Sequence, residues 1–198
     1  MTNIFSIASE LNDGKSFKSG SNIELCPVCG TVLDCSVGAY CHDFEPKIKG
    51  FDISYSYEGV LVVSEKFKQV CLELGLGGLS FHSINQKDSL YALSVESVVE
   101  FDSITRKTRF VNKCEECGEY ESVVGATPVI LKEPISESTI EFYRTDLCFG
   151  TGRKKHWLIV VNDATKRELE KYNLKGLRFK KGFSECERLL KRHCQLKV

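Results

Sequence analysis

The chain has 198 residues, ten of them cysteine, and carries 27 Lys/Arg against 27 Asp/Glu, a length able to bury one good core or two small ones. No stretch approaches the roughly 18–20 consecutive apolar residues of a membrane span. The start, Met1–Lys15, lacks the basic-then-apolar order of a secretory signal, so the expectation is a soluble, cytoplasmic protein with reduced cysteines. The charge is unevenly placed: residues 1–150 hold 13 Lys/Arg against 22 Asp/Glu, and residues 151–198 hold 14 against 5. That basic last quarter, with Arg153, Lys154, Lys155, Lys180, Lys181, Arg188, Lys191 and Arg192, can meet phosphates. The plainer expectation is that it solvates a helix face or packs beside the acidic body.

Along the chain, the first pattern with chemistry in it is Cys26-Pro27-Val28-Cys29-Gly30, which returns as Cys114-Glu115-Glu116-Cys117-Gly118. Each reads as a knuckle whose tight turn aims two thiolates at one point, with the glycine letting the backbone pass close to the sulfurs. Two knuckles, in segments near residues 24–36 and 112–122, supply the four thiolates of a tetrahedral structural zinc site. A redox Cys-x-x-Cys is the alternative, but neither copy follows an obvious strand and opens a helix. Two unrelated loop pairs are the other.

Between the knuckles a repeat begins. Leu61–Phe81 and Ile159–Phe179 align without a gap at a shift of 98 residues. Val62-Val63 and Val160-Val161 read as strand ends, and Ser64 and Asn162 as helix N-caps. Phe67, Val70, Cys71 and Leu74 form one helical face at i, i+3, i+4 and i+7. In the second copy, Leu169 and Tyr172 are the inward candidates. Gly78 and Gly176 then end each helix before Leu79-x-Phe81 and Leu177-x-Phe179, which alternate as strands. Each copy is a strand–helix–strand unit, which suggests duplication.

Extended character follows at Leu90–Val95, Val98–Phe101, Arg109–Val111, Thr127–Leu131, Thr139–Phe149 and Trp157–Val161, with a turn at Gly150-Thr151-Gly152. Ser184–Cys194 reads as a closing helix, with a capping box formed by Ser184 and Glu187. The predicted fold is α+β: a single domain over residues 1–198, with a mixed sheet, the two pseudo-repeated units 61–81 and 159–179, and an inserted four-cysteine zinc ribbon.

These residues resemble a known family, the bacterial double-CXXCG motif proteins, related to immunity proteins of polymorphic toxin systems. The paired knuckles carry the resemblance, with LVVSEKFKQV and GLGGLSF after the first. Tyr91–Val95 with Val99–Asp102 and the closing HWLIVVNDATKRELEKYNLKGLRF extend it from about Cys26 to Phe179. Ser94 departs from it, where relatives often carry Asn. The resemblance implies a zinc-bearing cytoplasmic protein that binds and blocks a cognate toxin. It carries zinc ligation onto Cys26, Cys29, Cys114 and Cys117 only.

No constellation for catalysis stands out. Cys71 and Cys148 read as core residues. Cys35, Cys41 and His42 could form a second metal or relay group only through a turn, because adjacent strand residues face opposite ways. His193-Cys194 reads as a half-buried helix end, His82 as a solvent-facing strand residue between inward Phe81 and Ile84, and His156 as a residue that adds charge to the basic run below its pKa. No phosphate-cradling loop is present, since Gly75-Leu76-Gly77-Gly78 ends a helix. The expected function is therefore non-enzymatic, stoichiometric neutralisation of a toxin by an acidic face, with exposed Glu115, Glu116, Glu119 and Glu121 as candidate contacts. The alternatives are a zinc-ribbon nucleic-acid-binding or regulatory protein using the basic C-terminal segment, although nucleic acid is the less expected partner, and a thiol enzyme.

Overall fold

The computed structural model describes residues 3–11, 24–33, 50–85 and 89–184. In chain order its elements are β1 (Ile4–Ala8), β2 (Glu10–Leu11), β3 (Ile53–Tyr55), β4 (Leu61–Ser64), α1 (Glu65–Glu73), β5 (Leu79–Asn85), β6 (Leu90–Val95), β7 (Val98–Val99), α2 (Ser103–Arg106), β8 (Arg109–Lys113), β9 (Tyr120–Val124), β10 (Ile130–Leu131), β11 (Phe142–Thr151), β12 (His156–Asn162), α3 (Asp163–Glu170) and β13 (Arg178–Ser184). The fold is mixed α+β, mostly sheet with few helices. One sheet has eight strands in the order β10-β13-β1-β12-β11-β9-β8, with β7 also paired to β11. The other has five, in the order β2-β3-β4-β6-β5.

The apolar runs at Leu61–Val63 and Ile159–Val161 exist because β4 and β12 are buried on both faces. Leu61, Val63, Ile159 and Val161 point into one core shared by the two sheets. Val62 points into a cluster on the far side of the five-stranded sheet, and Val160 into one on the far side of the eight-stranded sheet. The shared core is filled by both longer helices: Phe67, Val70 and Cys71 of α1 and Leu169 of α3, with Leu74 and Tyr172 packed against them. The caps are those read from the sequence. Ser64 Oγ accepts from Phe67 N–H, and Asn162 Oδ1 accepts from Thr165 N–H.

Both units share a local topology. β4 and β5 each pair antiparallel with β6, so they run parallel to each other with one strand between them. β12 and β13 each pair antiparallel with β1 in the same manner. Side chains match as well. Phe81 meets Tyr91 of the middle strand edge-on at 6.4 Å, with Lys68 Nζ 4.2 Å from the Tyr91 ring centroid. Phe179 meets Phe5 of its own middle strand edge-on at 6.4 Å, with Lys166 Nζ 5.1 Å from the Phe5 centroid. Asp52 ties the units together, accepting from Ser64 Oγ at 2.9 Å and from Lys175 N–H at 2.8 Å. Tyr172 Oη donates to Glu73 across the same seam.

Several elements differ from expectation. The strands β1, β3 and β9 were not anticipated. Ser184 is the last residue of β13 and pairs with Leu131; the predicted helix beyond it lies outside the described residues. β11 runs on through Gly150 and Thr151, so the turn before the basic run sits at Gly152-Arg153.

Two glycines separate conformational need from close approach. Gly176 has φ +89°, and a Cβ there would lie 2.4 Å from Ile53 O, whereas Gly75, at φ +64°, has open space around it. Gly75→Ala is expected to cost about 1 kcal/mol, the left-handed penalty alone. Gly176→Ala adds a backbone collision at the seam between the units and is expected to cost roughly 3 kcal/mol. Denaturant titration of both variants checks the ordering; equal costs would mean that the seam yields freely.

Candidate metal centre

The two knuckles close with the same pair of backbone hydrogen bonds. Cys26 N–H donates to Thr31 O and Gly30 N–H to Cys26 O, while Cys114 N–H donates to Glu119 O and Gly118 N–H to Cys114 O, all within 2.8–2.9 Å. Gly30 and Gly118 have φ of +68° and +73°, but nothing lies within 4 Å of where a Cβ would stand. The glycines are therefore there for the left-handed turn.

The first knuckle rests on the outer face of the five-stranded sheet, where Leu25 bridges Val32 and Val32 joins Val60, Val62, Ile84 and Ala92 in an apolar cluster. The second is the turn of the β8–β9 hairpin, at the end of the eight-stranded sheet. Their four sulfurs converge. Cys26 Sγ lies 3.8 Å from Cys114 Sγ, and Cys29 Sγ lies 3.7 Å from Cys117 Sγ. All four lie within 4.8 Å of one another. These separations are far longer than a disulfide bond, and all four thiols are free. A tetrahedron with metal–sulfur bonds of about 2.3 Å has edges of about 3.8 Å, so the donor set fits a four-thiolate metal site in number, chemistry and size.

The environment prepares the donors unequally. Cys26 and Cys114 are buried and Cys29 and Cys117 half-buried. The Cys29 thiol is lowered to about 6, first by the Thr31 side chain and then by its backbone. Thr31 Oγ1 is buried and makes no bond of full hydrogen-bond geometry, so its effect there is that of a nearby dipole. At Cys117 the Glu119 backbone acts downward, but desolvation and the neighbouring sulfurs prevail and raise the thiol to about 12. A bound cation would hold all four as thiolates and override this difference. Thr31 was not anticipated, and only its place two residues after Cys29 could have drawn attention to it.

Other sequence candidates are not brought to this site. Cys71 is in the shared core, its thiol pushed up to about 12 by burial. Cys148 is half-buried on β11, its backbone opposite Trp157. Cys35, Cys41, His42, Cys186, His193 and Cys194 lie outside the described residues. His82 is half-buried instead of solvent-facing, and Phe81 and Ile84 serve different cores because residues three apart on a strand face opposite sides of the sheet. Glu115, Glu116 and Glu119 are exposed, and Glu121 accepts from Asn112 Nδ2 at 2.8 Å.

The basic run behaves differently from its composition. Lys155 is 6% exposed and its Nζ donates to Tyr120 O. Lys154 lies over Tyr57, with Nζ 3.6 Å from the ring centroid. His156 packs against Tyr55, and a Cβ on Gly59 would stand 2.4 Å from its Nδ1. Burial lowers its pKa, with the Lys154 backbone acting in the opposite direction. His156 therefore takes up charge only at a lower pH than a free imidazole, and its ring is held by Tyr55 and Gly59 instead of standing in the basic run. Compared with protein-family models and with curated proteins, the chain matches none.

Because the folded pKa of His156 is depressed, the unfolded chain binds its proton more tightly. Its contribution to stability is full above the ordinary value of 6.5 and is lost as pH falls through the folded pKa. Each unit of depression corresponds to about 1.4 kcal/mol. Melting measured from pH 8 to 5 is expected to show a smaller acid loss in His156→Gln than in wild type. Coincident slopes would show that His156 titrates in the folded state as it does in water.

Proposed function

We propose that the four cysteines hold one structural zinc ion, and that the protein acts without catalysis as a cytoplasmic immunity protein that neutralises a cognate toxin by direct stoichiometric binding. The observation that carries this is the convergence of Cys26, Cys29, Cys114 and Cys117 at separations matching a tetrahedron of thiolates. An all-sulfur tetrahedral set favours zinc or an iron–sulfur centre among common metals, and the paired knuckle pattern resembles a zinc-bearing family. Bound there, zinc would supply a cross-link and no Lewis acidity, because four thiolates leave no position for water or substrate. The protein's own residues then account for its action through surface shape and charge.

Two further observations favour a protein partner over nucleic acid. Much of the described basic segment is already engaged. Lys155 is buried, Lys166 pairs with Glu170 at 2.9 Å, Lys171 pairs with Glu168 at 2.6 Å, and Arg167 pairs with Asp163. Moreover, Glu115, Glu116 and Glu119 stand exposed beside the proposed metal, where they would repel phosphates. The matched topology and aromatic contacts of the two strand–helix–strand units support the reading that they arose by duplication, with the four-cysteine ribbon added at one end.

Native mass spectrometry of the tagged protein captured gently from its host tests the proposal. One zinc and one protein partner in fixed stoichiometry are expected. Co-purified nucleic acid in place of a protein would shift the reading to a regulatory protein, and a folded, reduced chain without metal would remove the zinc site. Cys26→Ser and Cys117→Ser are each expected to lower the melting midpoint by about 10 °C or more, since a loss of about 4 kcal/mol has that effect in a chain of this size. Wild-type melting of both variants under chelation would refute the shared site.

A further inference from the structure

The β8–β9 hairpin exposes more apolar surface than its place in a sheet requires. All five residues of β8 are exposed, and Phe110, Val111 and, on β9, Val124 are each about 40% accessible (39%, 41% and 41%). Val111 faces Ser122 and Arg109 faces Val124 across the pair, so the two valines sit diagonally on one face. Ile104, 86% accessible, is on the α2 turn whose Ser103 carbonyl accepts from Thr108 N–H at the start of β8. β8 also ends the eight-stranded sheet, and among the described residues no strand pairs with its outer side. An edge of this kind offers a row of backbone donors and acceptors.

The charge around that edge is polarised. Lys107 and Arg109 are exposed at the start of the strand, whereas Glu115, Glu116 and Glu119 are exposed at the knuckle beyond its end and outnumber the one cation there, Lys113, which reaches toward the Tyr120 ring. Asn112, with φ +52°, stands opposite Glu121 in an unbroken register between Val111↔Ser122 and Lys113↔Tyr120, and its side chain bonds that glutamate. That left-handed residue interrupts the extended backbone, so the regular stretch of the edge is Arg109–Val111. Before that residue, Phe110 packs on Tyr120 at 5.1 Å, and the metal proposed at the four sulfurs would fix the hairpin's tip to the other sheet. The edge is therefore held in place before any partner arrives, which lowers the ordering cost of binding.

The geometry points to β8 as a docking edge that takes an added strand from a protein partner. That strand would be an extended segment with apolar side chains over Val111 and Val124 and basic side chains at the end lying over Glu115, Glu116 and Glu119. Backbone pairing supplies affinity, while the valine face and the glutamates select the segment. The inference rests on the reading that this protein acts by binding another protein, and it adds the surface and the chemistry of the occupant.

Three synthetic peptides of about ten residues test it, each with an alternating valine–threonine core ending in two lysines, two glutamates or two serines. They are titrated into the isotope-labelled full chain, with amide shifts read by NMR. The lysine peptide is expected to shift and protect the amides of Arg109–Val111 and to bind about ten-fold more tightly than the glutamate peptide. Glu115→Lys/Glu116→Lys/Glu119→Lys should invert that preference, and Val111→Lys should weaken all three. Shifts located away from β8, or equal affinity for the three peptides, overturn the assignment. A protein partner captured from the host that binds both variants as it binds wild type also overturns it, and leaves the immunity reading standing. Peptide seated on β8 with no protein captured supports the edge and removes the immunity reading.

Discussion

The convergence of four sulfurs from two distant stretches of chain is the contact on which the periphery of this molecule depends. Residues 24–33 make one isolated bridge, Leu25 to Val32, and contribute Val32 and the partly buried Leu25 to a small apolar cluster. That little burial is worth a few kcal/mol at most, too little to hold a ten-residue segment against the entropy of ordering it. The β8–β9 hairpin is in a similar position, since β8 has no buried residue and β9 has only Val123. A metal held by the four sulfurs would let each serve as the other's support, and would tie the outer face of one sheet to the end of the other.

What was legible in the sequence was what local physics dictates. The knuckles declare themselves because spacing and a left-handed glycine make a turn with two inward sulfurs, whatever surrounds them. The two strand–helix–strand units were legible because β4 and β12 are buried on both faces, and because Ser64 and Asn162 cap helices in the positions such residues favour. β1 was not legible. It is five residues long, carries the polar Ser6 at its centre, and is a strand because Ile4 pairs with both Asn162 and Gly182 at the far end of the chain. β9, Tyr-Glu-Ser-Val-Val, has a mixed pattern because only Val123 is buried, with Tyr120 packed partly against the same core.

Charge was the least transferable signal. The last quarter of the chain is basic by count, yet its described cations divide among quite different tasks. Lys155 is drawn inward by the Tyr120 carbonyl, Lys166 lies over the rings of Phe5 and Phe179, and Lys154 lies on Tyr57. Long aliphatic stems allow this, because a lysine can bury its methylenes while its ammonium meets a carbonyl or an aromatic face. Composition reports the number of such groups and cannot report which of them the fold uses. His156 makes the same point: its neighbours in sequence are cations, but its neighbours in space are Tyr55 and Gly59.

The two units also differ in how their shared topology is completed, and this difference bears on how the fold assembles. The first is contiguous: β4, α1, β5 and β6 follow one another from Leu61 to Val95, so its middle strand is delivered by a hairpin. The second borrows its middle strand from residues 4–8, which pair with strands beginning at His156 and Arg178. Closing that larger loop costs more chain entropy before any contact offsets it. The first unit can therefore present a formed face, with Phe67, Val70 and Cys71 in place, for the second to condense upon. Asp52, bonded to Ser64 on one side and to the Lys175 backbone on the other, sits where that docking is registered. The sulfur cluster lies outside both units, so its closure adds to an arrangement the shared core has already set.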